Sequence, residues 1–442
     1  MELVNSYKVK IVNSNKIFNE TISIYRNALA YIIDIVNLEF DSIKNLQLKE
    51  KNNFMEKLIH KTSTNSYPKY DFDKRFPKFP SYFRRTVLQD AIGIVSSYKS
   101  NLENYENRKY HYISNGKKFK EKKPILNKKH FKFPALYKGN MFNFISDNKV
   151  QVKIFKNNDW VWLTINLRNQ DVKYINKNFA NKKGLSPILE KSGRNYYLRF
   201  SFKDNVKLKN NKLKDKLVMG VDLGINHSAV CSIINYEGTV LKRKFINQAR
   251  EKDLQNHLIK RIIKKQKHNR NNTYKSLWNK INNLNTQIIN NTVNEIVNFA
   301  KENNVDHIVF EYLDFKGKRK GQLKLKMLMW AKRTIFNKVL HKAHLYGIRV
   351  NRTSAKNTSK LAFDGSGIVK RNNTNFKLCT FKNGKQYNCD LNASYNIGAR
   401  FIIGEIFKTL SESKKSLLEA KVPLVKWRTT CTLSTLREIV NL

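Results

Sequence analysis

Acidic side chains are scarce in this chain. Asp and Glu total 34 against 85 Lys and Arg, a net charge of +51 over 442 residues. A surface that positive repels itself unless it meets a polyanion, so nucleic acid is the expected partner. An A/T-rich genome would inflate Lys and Asn, but it should favour Glu and Asp as well, so codon bias explains Lys leading Arg and not the missing acids. Cysteine is nearly absent too. Cys231, Cys379, Cys389 and Cys431 are too few and too scattered for a disulfide framework, which fits a reducing, cytoplasmic setting. Long apolar runs are missing: no stretch reaches the roughly 18 residues of a membrane span, and "MELVNSYKVKIVN" has no apolar signal core. No segment joins a basic face to strong amphipathic hydrophobicity, so a membrane surface is set aside.

What remains is globular, with 40% hydrophobic and 12% aromatic residues, and too long for one core, so about two to four domains are expected. "YKVKIV" reads as a strand and "IYRNALAYIIDIV" as a helix with apolar residues three and four apart. A Pro-, aromatic- and Lys/Arg-rich stretch follows, then a helix from near Ser81 with an apolar stripe of Val87, Ala91, Ile94, Val95 and Tyr98. Over 132–203 the period changes to two, as in a small β-domain. Residues 204–216 are polar, Lys-rich and aperiodic, the best linker candidate. From Leu217 the order is three strands, a long basic helical stretch (249–302), then strand, helix, strand and, after a turn-rich insert at 356–388, a last helix. That is the order of an RNase H-like fold. The tail, 404–442, is amphipathic and interrupted by Pro423, with no assignable role.

Three acids stand out against this scarcity. Asp222 ends the first strand in "VMGVDLGINHS", Glu311 lies within the fourth in "HIVFEYL", and Asp390 opens the last helix in "YNCDLNASYNIG". Taken singly, Asp222 could open a turn, Glu311 could face solvent and Asp390 could be a helix N-cap. Taken together, they fall where an RNase H-like sheet brings its acids to one place, and the helix terminus favours a charged Asp390. Carboxylates from separate elements suit Mg²⁺, and two ions can clamp the attacking and leaving oxygens of a phosphodiester displacement.

At these residues the chain resembles a known family. "GVDLGINHSAV", "VFEYL" and "CDLNASYNIGAR" are similar to the three split RuvC motifs of transposon-encoded TnpB proteins and the compact type V CRISPR effectors. The likeness is specific over 217–403 and loose before that. It implies a multidomain α+β fold: a helical recognition domain (16–124), a small β-barrel-like wedge domain (1–15 and 125–203), the linker, and an RNase H-like (RuvC) nuclease domain at 217–403. It also implies that Asp222, Glu311 and Asp390 are the catalytic acids holding two Mg²⁺ ions, with Mn²⁺ a possible substitute. The expected partners are a guide RNA and double-stranded DNA carrying a short flanking motif, and the expected setting is the bacterial cytoplasm, on the nucleoid when DNA is bound.

One feature departs from the family, whose members mostly bind zinc between the second and third motifs through two CxxC knuckles. Here "TSKLAFDGSG" has no cysteine, and "LCTFKNGKQYNC" has Cys379 and Cys389 but no CxxC. Two thiols cannot complete a zinc shell, so no structural zinc is expected. Asp364–Gly365 and Asn383–Gly384 are strong hairpin-turn pairs, and tight turns are expected in place of the knuckles.

Nucleic-acid contacts are expected at Arg84, Arg85 and Gln89, side-chain types that read G and A edges and sit where the family reads its flanking motif. A solvated helix face is the alternative. The glycines and cations of 313–326, among them Lys316, Lys318, Arg319 and Lys320, read as a loop over the site, and Trp330 and Arg333 as packing against or touching the guide. Tyr67, Tyr70, Phe72, Phe76 and Phe79 either stack on bases or pack the helix end. His227 could serve as an acid or base, or simply sit in a turn. The function expected is an RNA-guided, Mg²⁺-dependent DNA endonuclease of the TnpB type. A compact CRISPR effector, a non-cleaving guided DNA-binding protein and a transposase acting alone are the alternatives.

Overall fold

The computed structural model describes residues 1–12, 16–62, 65–128, 132–225, 227–269, 272–312, 331–372, 375, 377–414, 416, 429–433 and 436. Lys316, Lys318, Arg319, Lys320 and Trp330 lie outside the described residues. The chain divides into two compact units, Glu2–Asp204 and Asn205–Leu442, the second including Met1.

In the N-terminal unit, β1 (Glu2–Val12) buries Leu3, Val9 and Ile11. The helix α1 (Asn19–Leu38) buries Ile22, Tyr25, Leu29, Ile32, Ile33 and Val36, a stripe three and four residues apart. A capping box of Gln47 and Glu50 starts α2 (Leu48–Ile59). Pro80 precedes α3 (Ser81–Ser114). The strands β2 (Phe142–Phe144), β3 (Lys149–Lys156) and β4 (Asp159–Leu167) precede α4 (Asn169–Phe179), and β5 (Lys183–Gly184), β6 (Ile188–Ser192) and β7 (Asn195–Asn205) follow it. They form one seven-stranded sheet in the order β2-β3-β4-β1-β7-β5, with β6 also on β7. Helices and sheet share one continuous apolar core. The aromatics ahead of α3 belong to it: Phe72, Phe76 and Phe79 are buried, and Phe79 meets Trp160 of β4 edge to face at 5.6 Å, whereas Tyr67 is 94% exposed.

In the C-terminal unit, β8 (Val218–Asp222), β9 (Ala229–Ile234) and β10 (Val240–Ile246) lead to α5 (Ala249–His268) and α6 (Lys275–Glu302). The basic stretch is thus two helices rather than one, because "HNRNNTY" carries turn formers: Asn272 accepts from the Tyr274 amide at 3.0 Å and Tyr274 adopts a φ of 46°. After β11 (His307–Tyr312) come α7 (Lys332–His344) and β12 (Arg349–Ser354). The sheet order is β10-β9-β8-β11-β12, antiparallel across β10, β9 and β8 and parallel across β8, β11 and β12. The central β8 is buried on both faces and reads as an unbroken apolar run. Met219 and Val221 pack with α6 and α7, while Val218 packs with the last helix, α8 (Cys389–Thr409).

Between β12 and α8, the strands β13 (Lys370–Arg371), β14 (Leu378–Thr380) and β15 (Gln386–Asn388) form a small antiparallel sheet. Both expected turns are present. Leu361 bridges Ile368 around Asp364–Gly365, and Phe381 bonds Lys385 around Asn383–Gly384, with φ of 79° at Gly365 and 81° at Gly384. Cys379 and Cys389 lie buried with Ala362, Val369 and Phe381. The tail, which its own sequence left without a role, returns to this unit. Leu433 and Leu436 are fully buried against α8, and Thr430 and Cys431 both donate to the Phe363 carbonyl. Among the described residues, no helix is long and apolar enough to cross a membrane.

Candidate active site

Side chains alternate along a strand, and this places the acids. On β8, Val218, Gly220 and Asp222 point to the α8 face; on β11, Val309 and Glu311 do the same. The parallel pair registers Val221 with Phe310, so Asp222 and Glu311 stand side by side at the carboxyl ends of neighbouring strands. Asp390 approaches from the other side, in the first turn of α8. It is not the cap. Asn388 caps the helix by accepting from the Leu391 amide at 3.0 Å, which leaves the Asp390 carboxylate for other use. The turn after β8 passes close by: a Cβ on Gly224 would lie 4.0 Å from Asp390 Oδ2.

The electrostatics agree with this placement. Burial, then the Glu311 carboxylate, then that of Asp390 push Asp222 well above the ordinary carboxyl range, and Arg371 opposes them. Burial also raises Glu311, against a hydrogen bond from the Thr358 hydroxyl and the charge of Arg400. Thr358 is the residue the sequence reading missed. His227 Nδ1 lies 3.5 Å from Asp390 Oδ2, a long contact, and its ring packs on the edge of Phe245 at 5.3 Å.

Three crowded, half-buried carboxylates are hard oxygen donors whose mutual repulsion a divalent cation would relieve, so the donor set suits Mg²⁺ or Mn²⁺. Among the described residues no three His, Cys, Asp or Glu side chains close around a single ion in this conformation. The site is therefore a set of facing acids and not a preformed cage.

Of the residues expected to meet nucleic acid, Arg85 and Gln89 are exposed on α3 and Arg333 is exposed at the start of α7. Arg85 lies 3.8 Å from Glu56 and over the Tyr82 ring at 5.2 Å. Arg84 is a correction. It is only 4% exposed, donates to Glu56 at 3.1 Å and has Asp73 at 3.9 Å, so its guanidinium is committed inside the unit. Its spacing gave the signal: 84, 87, 88 and 91 fall on one helix face, and that face is the buried stripe.

The sheet order, with acids at the carboxyl ends of two inner strands, defines an RNase H-like, RuvC-type domain, which follows a mixed helical and β unit in the sequence. Comparison with known proteins narrows this. A family model described as the Aq_aa04 family matches residues 5–156, one described as OrfB_IS605, probable transposase, matches 201–315, and one described as Cas12f1-like, TNB domain, matches 333–397. The TnpB-like protein aq_aa05 of Aquifex aeolicus (strain VF5) is 28% identical over 240 residues, 48% of this chain and 78% of that protein. Each match covers part of the chain, and together they make it similar to TnpB-like and compact type V effector proteins. Among solved structures, the mini-RNA-guided endonuclease CRISPR-Cas_phi3 superposes with a TM-score of 0.56 at 11% identity, covering 91% of this chain and 93% of that one, so it shares the fold. A Cas12f1-sgRNA-target DNA complex aligns over 90% of this chain and 99% of that one, at 17% identity and a TM-score of 0.34.

Proposed function

We propose that this protein is an RNA-guided, Mg²⁺-dependent DNA endonuclease of the TnpB type, with guide RNA and double-stranded DNA bearing a short flanking motif as its partners. The observation that carries the reading is the convergence of Asp222, Glu311 and Asp390 from two strand ends and a helix start, in a chain otherwise short of acids. These three would hold the ions. When bound, the ions would supply the charge that activates water and stabilises the leaving oxygen of a phosphodiester. The chain's own part is placement. Asp222 and Glu311 are fixed by the sheet register, Asp390 is fixed by a capped helix, and the positive surface holds the phosphate backbone. Base pairing to the RNA would choose the target, while the protein reads backbone shape and the flanking motif. His227 has no step assigned to it.

Asp222→Ala is expected to abolish cutting of a matched plasmid while guided DNA binding, measured by gel shift, persists. Cutting at the parental rate would overturn the site assignment. The Cas12f1-like match over 333–397 favours a second reading, a compact CRISPR effector with the same chemistry. Sequencing the RNA that co-purifies from the native locus separates the two: a 3′ segment matching a transposon flank supports the first, and spacers from a repeat array support the second.

A further inference from the structure

The helix that carries Asp390 also grips the segment that holds Glu311. Asn392, Asn396 and Arg400 recur every four residues, so they line up along one face of α8. Asn392 and Asn396 are fully buried and Arg400 is nearly so. Polar side chains that deep are costly unless they are hydrogen-bonded. All three donate to backbone carbonyls between the end of β12 and Leu361. Asn392 Nδ2 donates to the Leu361 carbonyl at 2.7 Å, and its Oδ1 accepts from the Phe363 amide at 2.8 Å. Asn396 Nδ2 donates to the carbonyls of Thr358 at 2.9 Å and Leu361 at 2.8 Å. Arg400 Nη1 donates to those of Ser354 at 2.9 Å and Lys356 at 2.6 Å. A stretch with little regular structure of its own is thus tied to the helix along its length.

Thr358 sits in the middle of this stretch. It is 2% exposed, and its hydroxyl donates to the Glu311 carboxylate, with the Ala355 carbonyl at 3.2 Å as a second acceptor. Packing alone does not call for that hydroxyl, because a valine fills the same volume. We propose that Thr358 is a positioning residue for Glu311, held in place by Asn392, Asn396 and Arg400, so that α8 sets two of the three acids for a divalent cation: Asp390 directly and Glu311 through Thr358. The inference rests on the metal-site reading above; it gives a role to Thr358, which no motif marked, and to Asn392, Asn396 and Arg400, which the third motif contains without a role. A carboxylate ligand whose outer partner is removed typically loses about 10–100-fold in metal affinity or activity, because its orientation is no longer fixed.

The test is Mn²⁺ binding to the full-length, RNA-free protein, followed by electron paramagnetic resonance, alongside the Mg²⁺ dependence of DNA cutting by the RNA-loaded protein. Thr358→Val is expected to raise both the Mn²⁺ Kd and the half-saturating Mg²⁺ concentration by about 10-fold or more. Its melting temperature should stay near the parent's, and saturating Mg²⁺ should recover most of the cutting rate. Thr358→Ser, which keeps the donor, should restore parental values, and Asn396→Ala should move them in the direction of Thr358→Val. If Thr358→Val binds Mn²⁺ like the parent while Asp222→Ala does not bind, the positioning role is wrong and the metal site stands. If Asp222→Ala also binds like the parent, the metal-site reading falls and takes this inference with it.

Discussion

At Asp222 the fold works against its own charge. The folded protein holds that proton more tightly than the unfolded chain does, because burial and the carboxylates of Glu311 and Asp390 all disfavour ionisation. A raised carboxyl stabilises the fold fully below the ordinary Asp range, about pH 4, and loses that contribution as pH rises through the folded value. Glu311 is raised as well and acts in the same sense. In EDTA at neutral pH, Asp222→Asn is therefore expected to melt above the parent, by about 2–4 °C for each kcal/mol of relieved repulsion. The gap should close towards pH 4. Added Mg²⁺ or Mn²⁺ should raise the parent's melting temperature more than the variant's. Melting curves across pH, with and without the cation, check this; a variant less stable than the parent in EDTA at neutral pH would show that the acids are not in conflict. The acids themselves were legible in the sequence, since two of them end or interrupt apolar strands where a charge has no packing reason to be. Thr358 was not legible. A threonine in a turn-rich stretch carries no signal until the fold shows which carboxylate it faces. Asn388 was passed over for the neighbouring acid, although Asn is as good an N-cap as Asp.

At the scale of elements, the site depends on how closely α8 lies against β8. Gly220 permits that contact. A Cβ there would stand 2.1 Å from the Ser394 carbonyl oxygen and 2.8 Å from the Gly398 amide nitrogen, both backbone atoms that cannot turn aside. Gly220→Ala is expected to push the helix off the strand and destabilise the protein by about 3 kcal/mol or more. Gly398→Ala should do far less. Its Cβ would meet Ile234 Cδ1 at 2.8 Å, the far end of a flexible side chain, and alanine gains about 1 kcal/mol of helix propensity over glycine. Urea midpoints rank the two, and hydrogen exchange of the β8 and α8 amides locates the loss. Equal effects would mean the helix is not seated on Gly220. The strands β8, β9 and β11 were readable from their apolar runs, because strands buried on both faces leave little else for them to be. The break between α5 and α6 falls where the sequence has no apolar residue from Lys264 to Thr273, and the Asn-rich "HNRNNTY" marks it. The docking of Leu433 and Leu436 could not be read, since a tail's partner lies far off in sequence.

For the whole molecule the governing quantity is the net charge of +51. Several of its few acids are already spoken for inside the fold: Glu56 pairs with Arg84, Glu190 with Lys8 and Arg199, Asp204 with Lys182, and Glu39 with Lys69. With 85 cations against 34 acids, most Lys and Arg must find their counter-charge elsewhere. If that counter-charge is nucleic-acid phosphate, binding releases condensed counterions, and affinity falls with salt by about 0.7 log units per log unit of salt for each single-strand phosphate neutralised, or about 0.9 for duplex. Binding of guide RNA, measured by filter retention or anisotropy, is therefore expected to weaken about 10³–10⁵-fold between 50 and 200 mM salt if about 6–10 phosphates are engaged. Asp222→Ala should keep that slope, because one acid at a strand end adds little to a field set by dozens of cations. Chelating divalent ions at fixed ionic strength should abolish cutting and leave guided DNA binding in place. Separation of the two effects is the informative result: charge spread over the molecule would govern binding, and three acids at two strand ends and a helix start would govern chemistry. A slope near zero would mean that the cations face solvent and not phosphate, and the nucleic-acid partner inferred from the scarcity of acids would be wrong.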